Sequence, residues 1–163
     1  MTTLYVDNIA PNLQSSVAIP GHVIQVVQGT TTTPSSNATD SYVDSGLSAS
    51  ITPSSASSKI LVVASQKFTV DRDGTNMNGG LRIVRDSTAI LSNGTYCPYI
   101  FSSGASTIQL HILYPLQILD SPNTTSSVTY KIQGRANDTT NNGVVRFQWG
   151  SDPSVITLME IAG

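Results

Sequence analysis

The sequence is poor in charged side chains and in strong helix formers. Charged residues make up only 11% of the 163 positions, and the acids are nine Asp and a single Glu, Glu160. Ser, Thr, Val and Ile are plentiful, and these residues favour pleated sheet and turns over helix. The composition therefore predicts an all-β fold, and the length predicts one domain with one core.

Several classes of partner are excluded by what the chain lacks. Its net charge is −2, whereas nucleic-acid binding calls for clustered Lys and Arg, so we expect no nucleic-acid partner. We expect no membrane insertion, because the first 20 residues lack the segments of a signal peptide and no apolar run reaches the length of a membrane span. The single cysteine, Cys97, cannot form an intramolecular disulfide, which favours assembly in a reducing cytoplasm.

Alternation of apolar and polar residues predicts eight or nine strands joined by turns. The clearest is Thr107 to Asp120, in which one apolar phase faces the core and Pro115 indicates a bulge or an edge strand. Leu81 to Val84 and Ala89 to Leu91 predict a hairpin. The pattern as a whole predicts an antiparallel two-sheet β-sandwich of the jelly-roll type.

The hairpin is expected to turn at Asp86 and Ser87, and Asp71 to Gly80 is expected to be a turn-rich loop. Trp149 lies in phase with Val145 and Phe147, so we expect its ring to pack in the core.

Two segments, Ile60 to Ala64 and Val155 to Ala162, are apolar in both phases. A strand of this kind is covered on two sides, by its own core and by something else. In a small domain a second copy of the chain is the expected cover. The residues expected at this interface between subunits are Leu61, Val63, Ile156 and Leu158.

Residues 1 to 20 differ in composition and periodicity from the rest of the chain. Leu4, Val6 and Ile9 are scattered among Asp, Asn and Pro, with too little periodicity for a helix and too much Pro and Asn for a central strand. We predict an extended arm over residues 1–20, followed by a β-sandwich domain over residues 21–163. The three apolar side chains would contact a neighbouring protein surface, and a frayed terminus is the alternative.

No constellation of catalytic or metal-binding residues stands out. Nucleophilic catalysis needs Ser or Cys beside His, and the two histidines, His22 and His111, each lie inside a predicted strand. Asp71 to Asn76 has oxygen ligands at alternating positions, as calcium loops do, but it lacks a third acid and favours a plain turn. We therefore expect no enzymatic activity and no cofactor or metal. Tyr96 and Tyr99, which flank Pro98, are the expected contacts to a sugar.

Four short motifs resemble a β-sandwich domain found in the fibres and surface proteins of tailed phages, marine and cyanobacterial ones especially. They are GLSASITPSS at residues 46–55, SKILV at 58–62, VIQVV at 23–27 and ITLMEIA at 156–162. The resemblance spans Pro20 to Gly163. It implies a homotrimer packed around a threefold axis and a place on the virion surface, after assembly in the host cytoplasm.

The resemblance and the arm together lead us to expect a structural protein of a phage virion. The expected role is a capsid decoration or cement protein, held to the capsid or to another virion protein by its arm. The alternative is a tail-fibre tip or receptor-binding module, whose Tyr96 to Phe101 loop would contact a host surface glycan. The absence of a repeat or heptad that could form a fibre shaft favours the first reading.

Overall fold

The computed structural model describes residues 19–73, 76–94, 98–101, 107–140 and 142–163. Strands form nearly all of the regular structure there, and one short 3-10 helix, Trp149–Ser151, is the exception. The strands are β1 (Val23–Thr31), β2 (Ser35–Asn37), β3 (Val43–Ile51), β4 (Lys59–Asp73), β5 (Met77–Arg85), β6 (Thr88–Asn93), β7 (Tyr99–Ile100), β8 (Thr107–Asp120), β9 (Val128–Ala136), β10 (Val144–Phe147) and β11 (Ser154–Ile161). The all-β prediction is confirmed.

The strands form two antiparallel sheets, which confirms the predicted two-sheet architecture. Sheet 1 has the order β1-β11-β4-β10-β2, with β8 on the other side of β4. Sheet 2 has the order β3-β9-β5-β6, with β7 beside β5. Strand β4 is the longest, at 15 residues. It pairs with β8 along one edge, and with β11 and then β10 along the other.

The core lies between the two sheets and is made by every second residue of the central strands. Ile60 and Val62 of β4, Leu158 of β11 and Tyr130 and Ile132 of β9 have no exposed surface. This alternation is the geometry of strands that bury one face. Burial of aliphatic side chains in this layer is the main term that stabilises the fold.

Two aromatic rings reach the opposite sheet at positions where only glycine leaves room. Phe68 and Phe147 lie with their ring centroids 5.6 Å apart. A Cβ atom at Gly79 would lie 2.8 Å from Phe68 Cζ, and one at Gly134 would lie 2.7 Å from Phe147 Cε1. Both distances are below van der Waals contact, so the two glycines set how closely the sheets approach.

Strand β8 behaves as an edge strand, as Pro115 predicted. Its pairing with β4 runs without a register shift from Ile60↔Asp120 to Asp73↔Thr107, so Pro115 causes no bulge. Because proline has no N–H to donate, the unbroken ladder requires its nitrogen to point away from β4. Among the described residues, no strand pairs with the other side of β8.

A polar contact fastens the end of β8 to sheet 2. Arg85 Nη1 donates to both carboxylate oxygens of Asp120, at 2.9 and 2.7 Å, and Tyr130 donates its hydroxyl to Asp120 Oδ2 at 2.7 Å. Burial, with the hydrogen bond to Asp120, raises the pKa of Tyr130 well above its ordinary value. The phenol therefore stays protonated, and the edge strand is fixed to both sheets.

The structure corrects two local predictions and confirms a third. Trp149 does not pack in the core: β10 ends at Phe147, Gln148 adopts a φ of 48°, and the indole is 42% exposed. The loop predicted from Asp71 to Gly80 is shorter at both ends, because β4 continues to Asp73 and β5 begins at Met77. The hairpin turn is where it was expected, with Asp86 in the left-handed region at φ 53°.

Glu160, the only glutamate of the chain, lies fully buried in the phase of β11 that faces the core. Ser54 donates its backbone N–H and its hydroxyl to Glu160 Oε1, at 2.8 and 2.7 Å. Gln25 Nε2 donates to Oε2 at 2.6 Å. Burial alone raises the pKa of Glu160, but the hydrogen bonds from Gln25 and Ser54 outweigh it and hold the pKa below its ordinary value of 4.5.

Replacing Glu160 with Gln should destabilise the protein, because an amide would turn its NH2 toward groups that donate. We expect a loss of about 1–3 kcal/mol in the free energy of unfolding at pH 7, measured by urea denaturation. A group with a lowered folded pKa stabilises above its unfolded pKa and loses that effect as pH falls through the folded value. The difference between the two proteins should therefore shrink as the pH falls below the ordinary value of 4.5.

Asp40→Asn is the matched control, because Asp40 is exposed. This variant should unfold at the same urea concentration as the unmodified protein, both at pH 7 and at the acidic pH where the effect of Glu160 shrinks. Equal stability of the Glu160→Gln variant and the unmodified protein at pH 7 would contradict the role given to this carboxylate.

Candidate functional site

The outer face of sheet 1, on the side away from the core, carries two surfaces of opposite character. Near the start of β4 its side chains are apolar, and near the end of β4 they are polar. The outer face of sheet 2 is polar instead: Asp44 accepts hydrogen bonds from Lys131 and Gln133, and the guanidinium groups of Arg82 and Arg135 each lie over the ring of Tyr42.

The apolar surface is a straight row across four strands, which we call the apolar stripe. Its members are directly paired from strand to strand: Val26 with Met159, Met159 with Leu61, and Leu61 with Leu119. At a strand spacing of about 4.8 Å the row is about 14 Å long. Val26 is 57% exposed and Leu119 is 52% exposed. An apolar surface of this kind, left open to water, is typical of an interaction site.

The four predicted interface residues fall on two different faces. Leu61 and Val63 lie half-buried on the outer face, beside Leu119 and Gln117 of β8. Ile156 and Leu158 have no exposed surface and lie in the core of the same chain. For these two the interface prediction is wrong, because residues of β11 one position away, such as Met159, occupy the outer face. A second subunit could contact Leu61 and Val63, but it could not contact Ile156 and Leu158.

The polar surface is built around a carboxylate near the end of β4. Asp71 Oδ2 accepts hydrogen bonds from Arg146 Nε and Nη2, at 3.2 and 3.0 Å, and from Gln109 Nε2 at 2.9 Å. Thr69, two residues earlier on the same face, bonds His111 Nδ1 at 2.9 Å. The strand pairing explains this convergence, because Arg146 of β10 and His111 of β8 both lie opposite Thr69.

Trp149 completes this surface. Its ring lies 4.6 Å from the guanidinium carbon of Arg146, which Asp71 holds in place. The guanidinium and indole therefore stack as a cation–π pair. We call Asp71, Arg146, Gln109, His111 and Trp149 the Asp71 cluster. The sequence offered one signal for the exposed indole: Gly150 follows it directly, Pro153 lies four positions after Trp149, and both indicate a turn.

The described residues include only some of the remaining predicted contact residues. Tyr99 is 40% exposed on the short strand β7, and Phe101 beside it is 75% exposed. Tyr96 lies outside the described residues, as do Leu4, Val6 and Ile9 of the predicted arm. The sugar contact predicted for Tyr96 and Tyr99 stays a prediction.

The part of the chain that the structure describes contains no group of three or more His, Cys, Asp or Glu side chains placed to hold a metal ion. In the segment Asp71 to Asn76, the first three residues belong to β4, and the Asp71 carboxylate accepts a hydrogen bond from Arg146. None of the described helices is long and apolar enough to cross a membrane.

No protein-family model matches the chain, and no curated protein matches it significantly. The resemblance to phage surface domains therefore stays an expectation from the sequence motifs.

Asp71 should hold the polar surface in place. Replacing Asp71 with Ala removes the acceptor shared by Arg146 and Gln109, and we expect a loss of about 1–3 kcal/mol in the free energy of unfolding. The control is Asp152→Ala, which breaks an exposed ion pair with Lys67 and should cost less than about 1 kcal/mol. Urea denaturation measures both. A larger loss for Asp152→Ala than for Asp71→Ala would contradict the assignment.

Proposed function

We propose that this protein is a non-enzymatic structural protein that assembles as a homotrimer and decorates the virion of a tailed phage. In this proposal the trimer buries the apolar stripe, and residues 1–18 attach it to the capsid or to another virion protein. The observation that carries the assembly part is the stripe itself. The virion setting and the threefold number rest on the sequence motifs described above.

The strand order supports a jelly-roll reading of the sandwich. Four strands of sheet 1 follow the order β1-β11-β4-β8, and four of sheet 2 follow the order β3-β9-β5-β6. If the eight are lettered B to I in chain order, the sheets read B-I-D-G and C-H-E-F. This is the interleaving expected when a long hairpin is rolled into two sheets.

A second copy of the chain is the proposed cover of the stripe. Its members are aliphatic or Met side chains, and Leu61 and Met159 lie on strands whose other face is already in the core. Around a threefold axis the same stripe from each subunit would face its two neighbours, which gives a closed contact. The ionic and polar outer face of sheet 2 offers no comparable apolar surface.

Pairing through the free edge of β8 is the less favoured way to assemble. Pro115 lies near the middle of that edge and has no N–H for an added strand. A partner strand paired along this edge would therefore lack a backbone hydrogen bond near its middle. Contact across the face, rather than along the edge, avoids this break.

Replacing Leu61 with Glu tests the stripe. The new carboxylate stays hydrated in a single subunit but would be buried without a partner in the trimer, so we expect folded monomers. Sedimentation and circular dichroism measure assembly and folding. Ser50→Glu, on the outer face of sheet 2, is the matched control and should remain a trimer.

A third variant separates assembly from folding. Leu158→Asp places the charge in the core and should prevent folding altogether, which distinguishes the core face of sheet 1 from its outer face. If Leu61→Glu still sediments as the unmodified protein does, the stripe is not the interface.

Removing residues 2–18 tests the attachment to the virion. The deletion keeps Ile19 and Gly21, whose backbone bonds reach His22 and Ala162, so the truncated chain should fold and trimerise. We expect it to lose binding to capsids that lack the protein, because three arms acting together supply the attachment. Electron microscopy of the decorated particles measures occupancy.

A full-length variant narrows the test to the apolar side chains. Leu4, Val6 and Ile9 are replaced together by Ser, and the control replaces Asp7, Asn8 and Asn12 by Ser instead. Only the first variant should lose binding. Full occupancy by the truncated trimer, or labelling of the tail alone, would contradict the decoration role.

A further inference from the structure

We propose that the Asp71 cluster is a carbohydrate-binding site for a neutral hexopyranose of a surface polysaccharide. Nothing in the decoration role requires such a site. The proposal rests on three features of the cluster: an exposed indole stacked on Arg146, groups with unused hydrogen-bonding capacity around the Asp71 carboxylate that holds Arg146, and balanced charge.

The indole of Trp149 offers a flat apolar surface. It is 42% exposed, and its orientation is set by the stacked guanidinium of Arg146. Arg146 is itself fixed by two hydrogen bonds to Asp71, whose carboxylate is almost fully buried. A pyranose presents a face of C–H groups that packs on such a ring with little loss of side-chain entropy. A rigid aromatic surface beside a few oriented polar groups is the usual composition of a small-ligand site.

The neighbouring polar groups retain unused hydrogen-bonding capacity. All three hydrogen bonds to Asp71 end on Oδ2, and no described residue donates to Oδ1. His111 bonds Thr69 through Nδ1, and no described residue bonds its Nε2. Gln109 donates an Nε2–H to Asp71, and no described residue donates to its carbonyl oxygen. Such a set of acceptors and donors matches adjacent sugar hydroxyls, each of which both donates and accepts.

The charges favour a neutral ligand. Arg146 is paired with Asp71 at 3.0 Å, and nearby Lys67 is paired with Asp152 at 2.6 Å. An acidic sugar would find no unpaired cation in this cluster, and a nucleic acid would find no basic surface. The surroundings of Trp149 are polar rather than apolar, which favours a hydroxylated ligand over a protein partner.

The position of the cluster leaves it open after assembly. Leu61 and Asp71 lie ten positions apart on β4, about 33 Å at the usual rise per residue of a strand. A trimer that buries the apolar stripe would therefore present three such sites together. Weak single sites would then act jointly on a repeating polysaccharide.

Trp149 provides its own reporter, because it is the only tryptophan of the chain. The full-length protein would be titrated with methyl β-galactopyranoside, methyl β-glucopyranoside and methyl α-mannopyranoside while the indole N–H signal is followed by NMR. We expect a saturable shift with at least one glycoside, in the millimolar range. Asp71→Asn keeps the indole and should weaken that binding at least about tenfold.

Further variants test which aromatic side chain contacts the glycoside. Trp149→Ala should abolish the glycoside-induced shifts of the Gln109 and His111 backbone amides while leaving the oligomeric mass unchanged. Ser50→Glu, on the outer face of sheet 2, is the control and should bind as the unmodified protein does. Tyr99→Ala tests the other predicted sugar contact, on β7. Binding of the unmodified protein to an array of bacterial capsular and lipopolysaccharide glycans, compared with Trp149→Ala, extends the test to polymers.

Three results would overturn the proposal. The first is the absence of both a saturable indole shift and any array signal that depends on Trp149. The second is loss of sugar binding in Tyr99→Ala but not in Trp149→Ala, which would move the site to β7. The third is dissociation of the oligomer by Trp149→Ala, which would make the indole a subunit contact.

Discussion

The pairing of β4 with three other strands is the interaction on which the rest of the structure depends. One edge of β4 is hydrogen-bonded to β8 along its length, and the other is shared between β11 and β10. Sheet 1 is therefore continuous only through this strand. Because strands present alternate residues to opposite faces, β4 also supplies both a core layer and an outer surface along its whole length.

The two surfaces proposed to have a function follow from the change in sequence along β4. Its outer residues are Leu61 and Val63 near the start, and Thr69 and Asp71 near the end. The neighbouring strands repeat this change, with Met159 and Leu119 beside the first pair, and Arg146, Gln109 and His111 beside the second. A single sheet can thus carry an assembly surface and a ligand surface that do not compete for the same side chains.

Much of the fold could be predicted from alternation and turn chemistry. The phase of β8, the hairpin turn at Asp86 and the edge position of Pro115 each depend on local rules of backbone geometry, and each was predicted. Two short strands, β2 and β7, raise the number of described strands above the eight or nine expected, because pairing with longer strands rather than local pattern defines them.

The parts of the site that could not be predicted depend on contacts distant in the chain. In β11 both phases are apolar, so periodicity alone could not tell which of them faces the core, and Ile156 and Leu158 were placed at the interface. The Asp71 cluster joins residues of three strands and a turn, which only strand register brings together. Trp149 was misassigned because alternation was extended past Gln148, where the backbone leaves the strand region.

The central claim is that the apolar stripe on the outer face of sheet 1 is covered by other copies of the same chain. Native mass spectrometry of the unmodified full-length protein, at low micromolar concentration and neutral pH, tests it most directly. One chain has a mass of 17.2 kDa, and a single dominant species with the mass of three chains is predicted. A monomer that persists as the protein concentration is raised would contradict the account, because the apolar stripe would then remain exposed to water.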